Sequence, residues 1–384
     1  MHHLTLEEPV PIGPQDAIVP GEYYLDDVMG GHLLAFAGGG TMRPLVEKRP
    51  FDQSQDWNGK SILFARAGGF GDLLLLTPVL RELNRRWPGI KIAVSTMGRY
   101  ADILRDLPYV TEILTYPIPK ATADAFDAWV MLENAIERNP LARTKHMTDL
   151  FAAIVGLDDF EDKLPDYRVS GAEAAWSKEF YPRVAGLRRV CIQVGTSAVS
   201  RTYHRQLLGV AVATLLKGEW EVYLMGVRGA NGRPEVETDE RPHLRNLCMD
   251  DLAFRQSCAV LNAADAFIGS DSALLHVAGA LTVPAVGLYG PFPWQLRTLY
   301  CPTTLGLQGT GHCAPCFHHE SPNRRNLFPK NCPSAAKGYC EVLARIEPQA
   351  IVDRVNLTAR GFKLTVVEPE VNGAEVGVEA EKRI

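Results

Sequence analysis

Three clusters in this chain of 384 residues carry side chains and spacings suited to chemistry. The first is Arg66-Ala67-Gly68-Gly69-Phe70-Gly71-Asp72, set between an apolar run and a helical pattern. Glycines there permit a tight turn and let a ligand approach the backbone, and a helix start offers unpaired N–H groups and a positive dipole end. The spacing differs from a dinucleotide fingerprint, and no acidic residue follows to read a ribose. Asp72 has two readings. One is a first-turn carboxylate worth ~1 kcal/mol to the helix; the other is a general base. The motif alone favours the first.

The second cluster is Ser270-Asp271-Ser272-Ala273-Leu274-Leu275-His276. Ser270 or Asp271 can cap the following helix, and the N–H groups at Asp271 to Ala273 suit a phosphate. His276, one turn further on, is either a satisfied core residue or a donor to a diphosphate, and by itself the motif weights the two equally. The third cluster is Gly195-Thr196-Ser197-Ala198-Val199-Ser200-Arg201-Thr202-Tyr203. Small hydroxyls with one arginine suit a phosphate loop, Arg201 offering bidentate contacts; a plain polar loop is the alternative.

Eight cysteines are present, and Cys313, Cys316, Cys332 and Cys340 follow the pattern C-x2-C-x15-C-x7-C. Four thiolates so spaced suit a tetrahedral Zn²⁺ or Fe site, with His312, His318 and His319 as spare ligands. Four free thiols in a surface loop is the other reading, and a structural metal is set slightly ahead of it. The start of the chain lacks a basic and then apolar signal pattern, so a reducing, cytoplasmic setting is expected, in which such a cluster suggests metal before disulfide.

The elements that must position these clusters are alternating strands and helices. Strands are expected at 61–65, 91–95, 110–114 and 126–132, then at 189–194, 220–225, 266–269 and 285–289. Helices are expected at 73–87, 100–107, 207–216, 254–263 and 272–280. Such alternation implies parallel sheets. It divides the chain into an N-terminal extension (1–59, a candidate β-rich appendage, with Leu33 to Ala37 a candidate strand), a first α/β domain (60–185), a second (186–357) and an acidic tail (358–384). The linker falls at about Asp158 to Leu187. Ligands of such sheets bind beyond the carboxyl ends of the strands, and the cleft between two sheets is the expected site.

In this order the three motifs resemble those of glycosyltransferase family 9, the ADP-heptose:lipopolysaccharide heptosyltransferases. The family's R-x-G-x-x-G-D is met by Arg66, Gly68, Gly71 and Asp72, and its Thr-Pro by Thr77-Pro78. Its second-domain loop is met by Gly195-Thr196-Ser197 with Arg201 and Tyr203 in place of Lys and Trp. Its D-[ST]-G-x-x-H motif is met by Asp271 to His276 with Ala273 in place of Gly, followed by Ala280 to Pro284 and Tyr289-Gly290-Pro291. Gln193 stands where His is common, and Arg228 lies near the position of a missing Glu. The resemblance covers about Lys60 to Val355.

The resemblance implies a GT-B fold, two Rossmann-like domains facing a central cleft, and inverting transfer of a sugar without a catalytic metal. Asp72 would be the general base. Thr196, Ser197, Arg201, Asp271, Ser272, Ala273 and His276 would hold the donor diphosphate, and Arg66, Gly68 and Gly71 would lie on the acceptor side. The donor would be ADP-heptose, and the acceptor a lipopolysaccharide core sugar, another glycan or a protein. Similar cysteine stretches recur in the family, and some relatives resembling protein heptosyltransferases hold iron there. Other readings are a nucleotide-sugar 2-epimerase, or a degenerate protein that binds a nucleotide sugar without turnover.

Composition sets the bounds. Charged residues are 22% and hydrophobic ones 46%, ordinary for a globular protein. The net charge of −5 disfavours nucleic acid as a partner. Arg66, Arg99, Arg143 and Lys145 are either surface charges or contacts to an anionic acceptor, and an enzyme acting on glycolipid would touch the membrane only peripherally.

Overall fold

The computed structural model describes residues 2–11, 17–37, 39–44, 50–157, 159–196, 198–227, 236, 238, 241–317 and 337–360. Ser197, Arg228, His318, His319, Cys332 and nearly all of the acidic tail lie outside the described residues. The chain forms two compact units, Met1–Lys163 and Leu164–Ile384.

The first unit opens with β1 (His2–Leu6), β2 (Val10–Pro11), β3 (Ala17–Ile18), β4 (Gly21–Leu25), α1 (Asp27–Phe36) and β5 (Gly40–Pro44). The segment around Leu33, expected as a strand, is thus part of α1. A side chain at Gly30 would sit 2.3 Å from Met42 Sδ, so this glycine lets the helix lie close on β5. After β6 (Ser61–Ala65) come α2 (Phe70–Arg86), β7 (Lys91–Thr96), β8 (Glu112–Thr115), β9 (Ile118–Pro119), α3 (Lys120–Ala123), β10 (Ala128–Met131) and α4 (Met147–Ile154). The expected helix at 100–107 is only a 3₁₀ turn, Gly98–Ile103. The left-handed backbone of Asp106 (φ 69°) and then Pro108 redirect the chain there.

Two sheets result. One is parallel, ordered β10-β6-β7-β8; the other is antiparallel, ordered β5-β1-β4-β9. β9 joins the N-terminal strands to the α/β part by pairing Tyr24 with Ile118. One core follows, running from Leu4, Tyr24 and Leu25 to Leu63, Ala65 and Trp129. The N-terminal extension is therefore docked within the first unit. Strand β6 buries both faces, as a central parallel strand must. Helix α2 keeps Pro78 inside it; Pro78 cannot donate to the Leu74 carbonyl, and the Thr77 hydroxyl does so instead at 2.7 Å.

The second unit contains α5 (Gly171–Phe180), β11 (Arg188–Gln193), α6 (Arg205–Leu215), β12 (Trp220–Met225), β13 (Leu244–Asn246), α7 (Phe254–Asn262), β14 (Ala266–Ser270), α8 (Ala273–Ala280), β15 (Ala285–Tyr289), α9 (Trp294–Thr298), β16 (Thr304–Gln308) and α10 (Pro348–Thr358). All six strands are parallel, ordered β13-β12-β11-β14-β15-β16. The division between units lies at Lys163/Leu164, inside the expected linker but ahead of the expected 185/186 boundary. The cause is α5. A capping box between Ser170 and Glu173 starts it, and Glu173 also pairs with the buried Arg255 of α7. Tyr181 further bonds Asp250 at 2.8 Å. Among the described residues no helix is long and apolar enough to cross a membrane.

Candidate functional site

Each parallel sheet has a place where strand order reverses. In the first unit β7 and β8 lie on one side of β6 and β10 on the other; in the second, β12 and β13 lie on one side of β11 and β14 to β16 on the other. Loops leaving the carboxyl ends of neighbouring strands separate at such a point and leave room for a ligand. The sequence motifs fall at these two points.

In the first unit the register Met131↔Ala65 brings the residues after β10 beside those after β6. Gly69 opens α2 with φ 97°, a conformation suited to glycine, and a side chain there would lie 2.5 Å from Asp72 Oδ2. Gly68 leaves room for the Tyr100 ring, since a side chain would come within 2.7 Å of it. Gly71 is in the first turn of α2, one residue before Asp72.

Arg66 is only 3% exposed and all five of its guanidinium N–H groups are engaged. Nε donates to Gly68 O at 3.2 Å and Nη1 to Leu132 O at 2.8 Å. Glu137 takes Nη1 and Nη2 in a two-pronged pair, at 3.3 and 2.7 Å. The remaining N–H of Nη2 goes to Asp72 Oδ2. Glu133 stands 4.0 Å from Nε and accepts the Ala67 N–H at 2.8 Å. Burial pushes the Glu133 carboxyl above the usual carboxylate range despite Arg66 beside it. Burial acts against the charged form of Arg66, but its carboxylate neighbours, Asp72 foremost, outweigh this and raise its pKa further. Arg66 is thus neither a surface charge nor a free cation for an anionic acceptor. Arg99, Arg143 and Lys145 are exposed, with Arg99 lying over the Tyr100 ring at 4.7 Å.

In the second unit Asp271 is the centre. Its carboxylate is buried, with His276 Nε2 3.3 Å from Oδ1 and Arg297 Nε 3.3 Å from Oδ2. Arg201 donates to its backbone carbonyl at 2.7 Å. Burial opposes ionisation of Asp271, but Arg297 first, then His276 and Arg201, hold its carboxyl far below the usual range. Arg297 in turn lies over the Phe292 ring at 4.0 Å. The expected cap by Ser270 or Asp271 does not form. Ser272 is the N-cap of α8, and its hydroxyl is turned to Gln193 Oε1 at the end of β11, so no side chain caps the helix. The unpaired N–H groups at Ala273 and after are left for an anion. Thr196 stabilises its own loop, bonding Ala198 O at 2.7 Å and Thr202. Tyr203 is a core residue whose hydroxyl donates to Ile346 O.

Sequence reasoning missed Glu133, Glu137 and Arg297. The signal for the first two was their position just after a recognised strand; Arg297 had only its place after the Tyr289-Gly290-Pro291 turn. Of the cysteines, Cys313 and Cys316 are exposed and Cys340 is buried against the core, while Cys332 lies outside the described residues. Among the described residues no three His, Cys, Asp or Glu side chains gather as a metal site. Thiolate chemistry and spacing are what remain in favour of a four-cysteine site.

A family profile described as glycosyltransferase family 9 (heptosyltransferase) matches residues 124–326, 203 of the 384 residues. No curated protein matches the chain. Among solved structures, the E. coli ADP-heptose LPS heptosyltransferase II is similar at 17% identity with a TM-score of 0.60, over 78% of this chain and 98% of that one. A family 9 glycosyltransferase from Veillonella parvula is similar at 13% identity with a TM-score of 0.58, over 80% of this chain and 99% of that one. TibC from enterotoxigenic E. coli, an iron-containing dodecameric glycosyltransferase, is similar at 15% identity with a TM-score of 0.59, over 94% of this chain and 91% of its own. A second TibC structure holds ADP-D-β-D-heptose. The TibC comparison leaves out 6% of this chain, about 23 residues, so it takes in most of residues 1–59. At these identities the likeness is one of fold, and with two parallel α/β units that fold is GT-B. The chain belongs to glycosyltransferase family 9, the heptosyltransferases.

Proposed function

We propose that the chain is an inverting glycosyltransferase that moves a heptose from ADP-heptose to an acceptor hydroxyl. The observation that carries this reading is the second-unit centre. His276 and Arg297 face one buried carboxylate and Arg201 the backbone carbonyl of the same residue, beside a helix start that no side chain caps. Positive charge in excess of negative charge, next to free N–H groups, suits a diphosphate and the charge it gains on leaving. Family membership, and the ADP-heptose held by the similarly folded TibC, support the donor.

In this reaction Asp72 takes the proton of the acceptor hydroxyl as its oxygen attacks the anomeric carbon. The bond from that carbon to the diphosphate oxygen breaks, and ADP departs with the bonding pair, its charge met by Arg201, Thr196, Ser197, His276 and the N-terminus of α8. These groups supply the positive field without a divalent cation. The acceptor is a hydroxyl of a lipopolysaccharide core or another glycan. Cys313, Cys316, Cys332 and Cys340 hold a structural Zn²⁺ or Fe ion, which would tie their loop together and take no part in transfer.

Melting curves against ADP-, UDP-, GDP- and CDP-sugars test the donor. A ligand at about 100 times its Kd stabilises by ~2.7 kcal/mol. A shift with ADP-sugars alone is expected. A shift only with UDP- or GDP-sugars discards the donor, and no shift with any of them discards the transferase reading. Asp72→Asn should then abolish sugar transfer while leaving donor affinity intact.

A further inference from the structure

We infer that Arg66, clamped by Glu137 and Glu133, is the positioning residue for Asp72: it fixes which carboxylate oxygen faces the acceptor and keeps that oxygen ready for a proton. The inference rests on the reading of Asp72 as general base.

A base on the first turn of a helix has two equivalent oxygens and two rotatable bonds. Uncommitted, it would spread over several orientations, and the right one would be only a fraction of them. Here Oδ2 is committed to Arg66 Nη2, while Oδ1 accepts from no group among the described residues, and the side chain is 21% exposed. One oxygen is thus anchored and the other is left to take a proton.

The anchor is itself held. Arg66 is a planar fork with no unused N–H. Its Nε and Nη1 are fixed by the carbonyls of Gly68 and Leu132, and Glu137 grips two edges of the same fork. Glu133 braces the turn from the Ala67 N–H and adds charge at 4.0 Å. Lysine in place of Arg66 would keep the charge but lose the fork. On the other side, Gly69 has no side chain to contest the space of Oδ2.

The charged groups around Asp72 come from three elements. Arg66 follows β6, and Glu133 and Glu137 follow β10. Beyond Glu133 stands Asp26, which starts α1 and accepts the Tyr116 hydroxyl at 2.7 Å. Tyr100 packs over Gly68. Three carboxylates thus share one guanidinium, and each competes for it. Removing the cation frees Oδ2 and lets the carboxylate turn, and removing the Glu137 charge loosens the fork that holds it. A residue that merely supports the fold would lower Tm without separating kcat from donor KM.

The test measures ADP release from ADP-heptose by the full chain at pH 7 with a lipopolysaccharide core oligosaccharide as the acceptor, for the unmodified protein and for Asp72→Asn, Arg66→Lys, Arg66→Met and Glu137→Gln. Glu137 is 45% exposed, so Glu137→Gln folds even if Arg66→Met does not. Donor KM should stay within about twofold throughout. In Arg66→Lys, which keeps the charge but not the fork, kcat should fall at least tenfold with Tm little changed. In Arg66→Met, kcat should fall further. In Glu137→Gln, kcat should fall too, but less than in Arg66→Lys.

Asp72→Asn without turnover, beside Arg66→Lys and Glu137→Gln with unmoved kcat, overturns this inference and leaves the general base standing. Asp72→Asn with full turnover, or an unmodified chain that releases no ADP, overturns both.

Discussion

Replacing Asp271 with asparagine keeps the shape of the side chain and deletes the charge around which the second-unit centre is built. At 3.3 Å and an effective dielectric of about 20, the Arg297–Asp271 ion pair is worth ~5 kcal/mol of Coulomb energy. The cost of burying the charges offsets most of that, so the pair adds little net stability while intact. Its loss is asymmetric, because Asp271→Asn leaves the Arg297 charge, only 13% exposed, without a counter-charge. Breaking such a pair costs about 3–5 kcal/mol. For a unit of this size each kcal/mol moves the midpoint by about 2–4 °C, so Tm should fall by roughly 10 °C. The assay is differential scanning calorimetry of ligand-free protein, following the transition of the second unit. Two further features separate this from a surface effect. The difference between variant and parent should be the same in low and high salt, because buried charges are poorly screened. It should also persist at pH 4. A carboxyl whose folded-state pKa is depressed contributes stability above its unfolded value and loses it only as pH falls through the depressed one. A Tm within 2 °C of the parent, or a difference that vanishes in salt, would refute the account of this centre.

Other consequences follow from single residues. Arg255 holds the Glu173 carboxyl down at about 2, so this pair contributes stability above about pH 4.5 that is lost as pH falls from there towards 2. Glu173→Gln should therefore cost about 1–3 kcal/mol in urea unfolding at pH 7 and nearly nothing near pH 2, and a pH-independent loss would contradict the pairing. Gly69→Ala should lower stability by about 1–3 kcal/mol through its positive φ and also displace Asp72, so its ADP-release rate should fall more than its Tm suggests. Elemental analysis should find about one Zn or Fe per chain, lost in Cys316→Ser; protein that is metal-free when purified without chelator or oxygen would remove the cysteine site.

Much of the fold was legible because both sheets are parallel. Their strands are short apolar runs and their helices are amphipathic, so period and punctuation mark them. The strands Trp220–Met225 and Ala285–Tyr289 stand at the bounds read from sequence. The errors arose where local pattern was overruled from a distance. Leu33 to Ala37 is apolar enough for a strand, yet the close fit of Gly30 on Met42 makes this segment helical up to Phe36. The domain boundary missed α5 because Arg255, 82 residues on from Glu173, claims that helix for the second unit.

The candidate site divides in the same way. Asp72, Arg201, Asp271 and His276 could be named because a loop between a strand and a helix is a local object, with its glycines, hydroxyls and helix start adjacent in sequence. Their partners could not. Glu133 and Glu137 reach Arg66 only because β10 pairs with β6, and Gln193 meets Ser272 only because β11 lies beside β14. Sequence alone determined which residues can do chemistry, since that depends on side-chain type and on the turn each occupies. The tertiary structure decided their charge, orientation and free valences, since these depend on groups some 60 to 80 residues away that only strand order brings within hydrogen-bond reach.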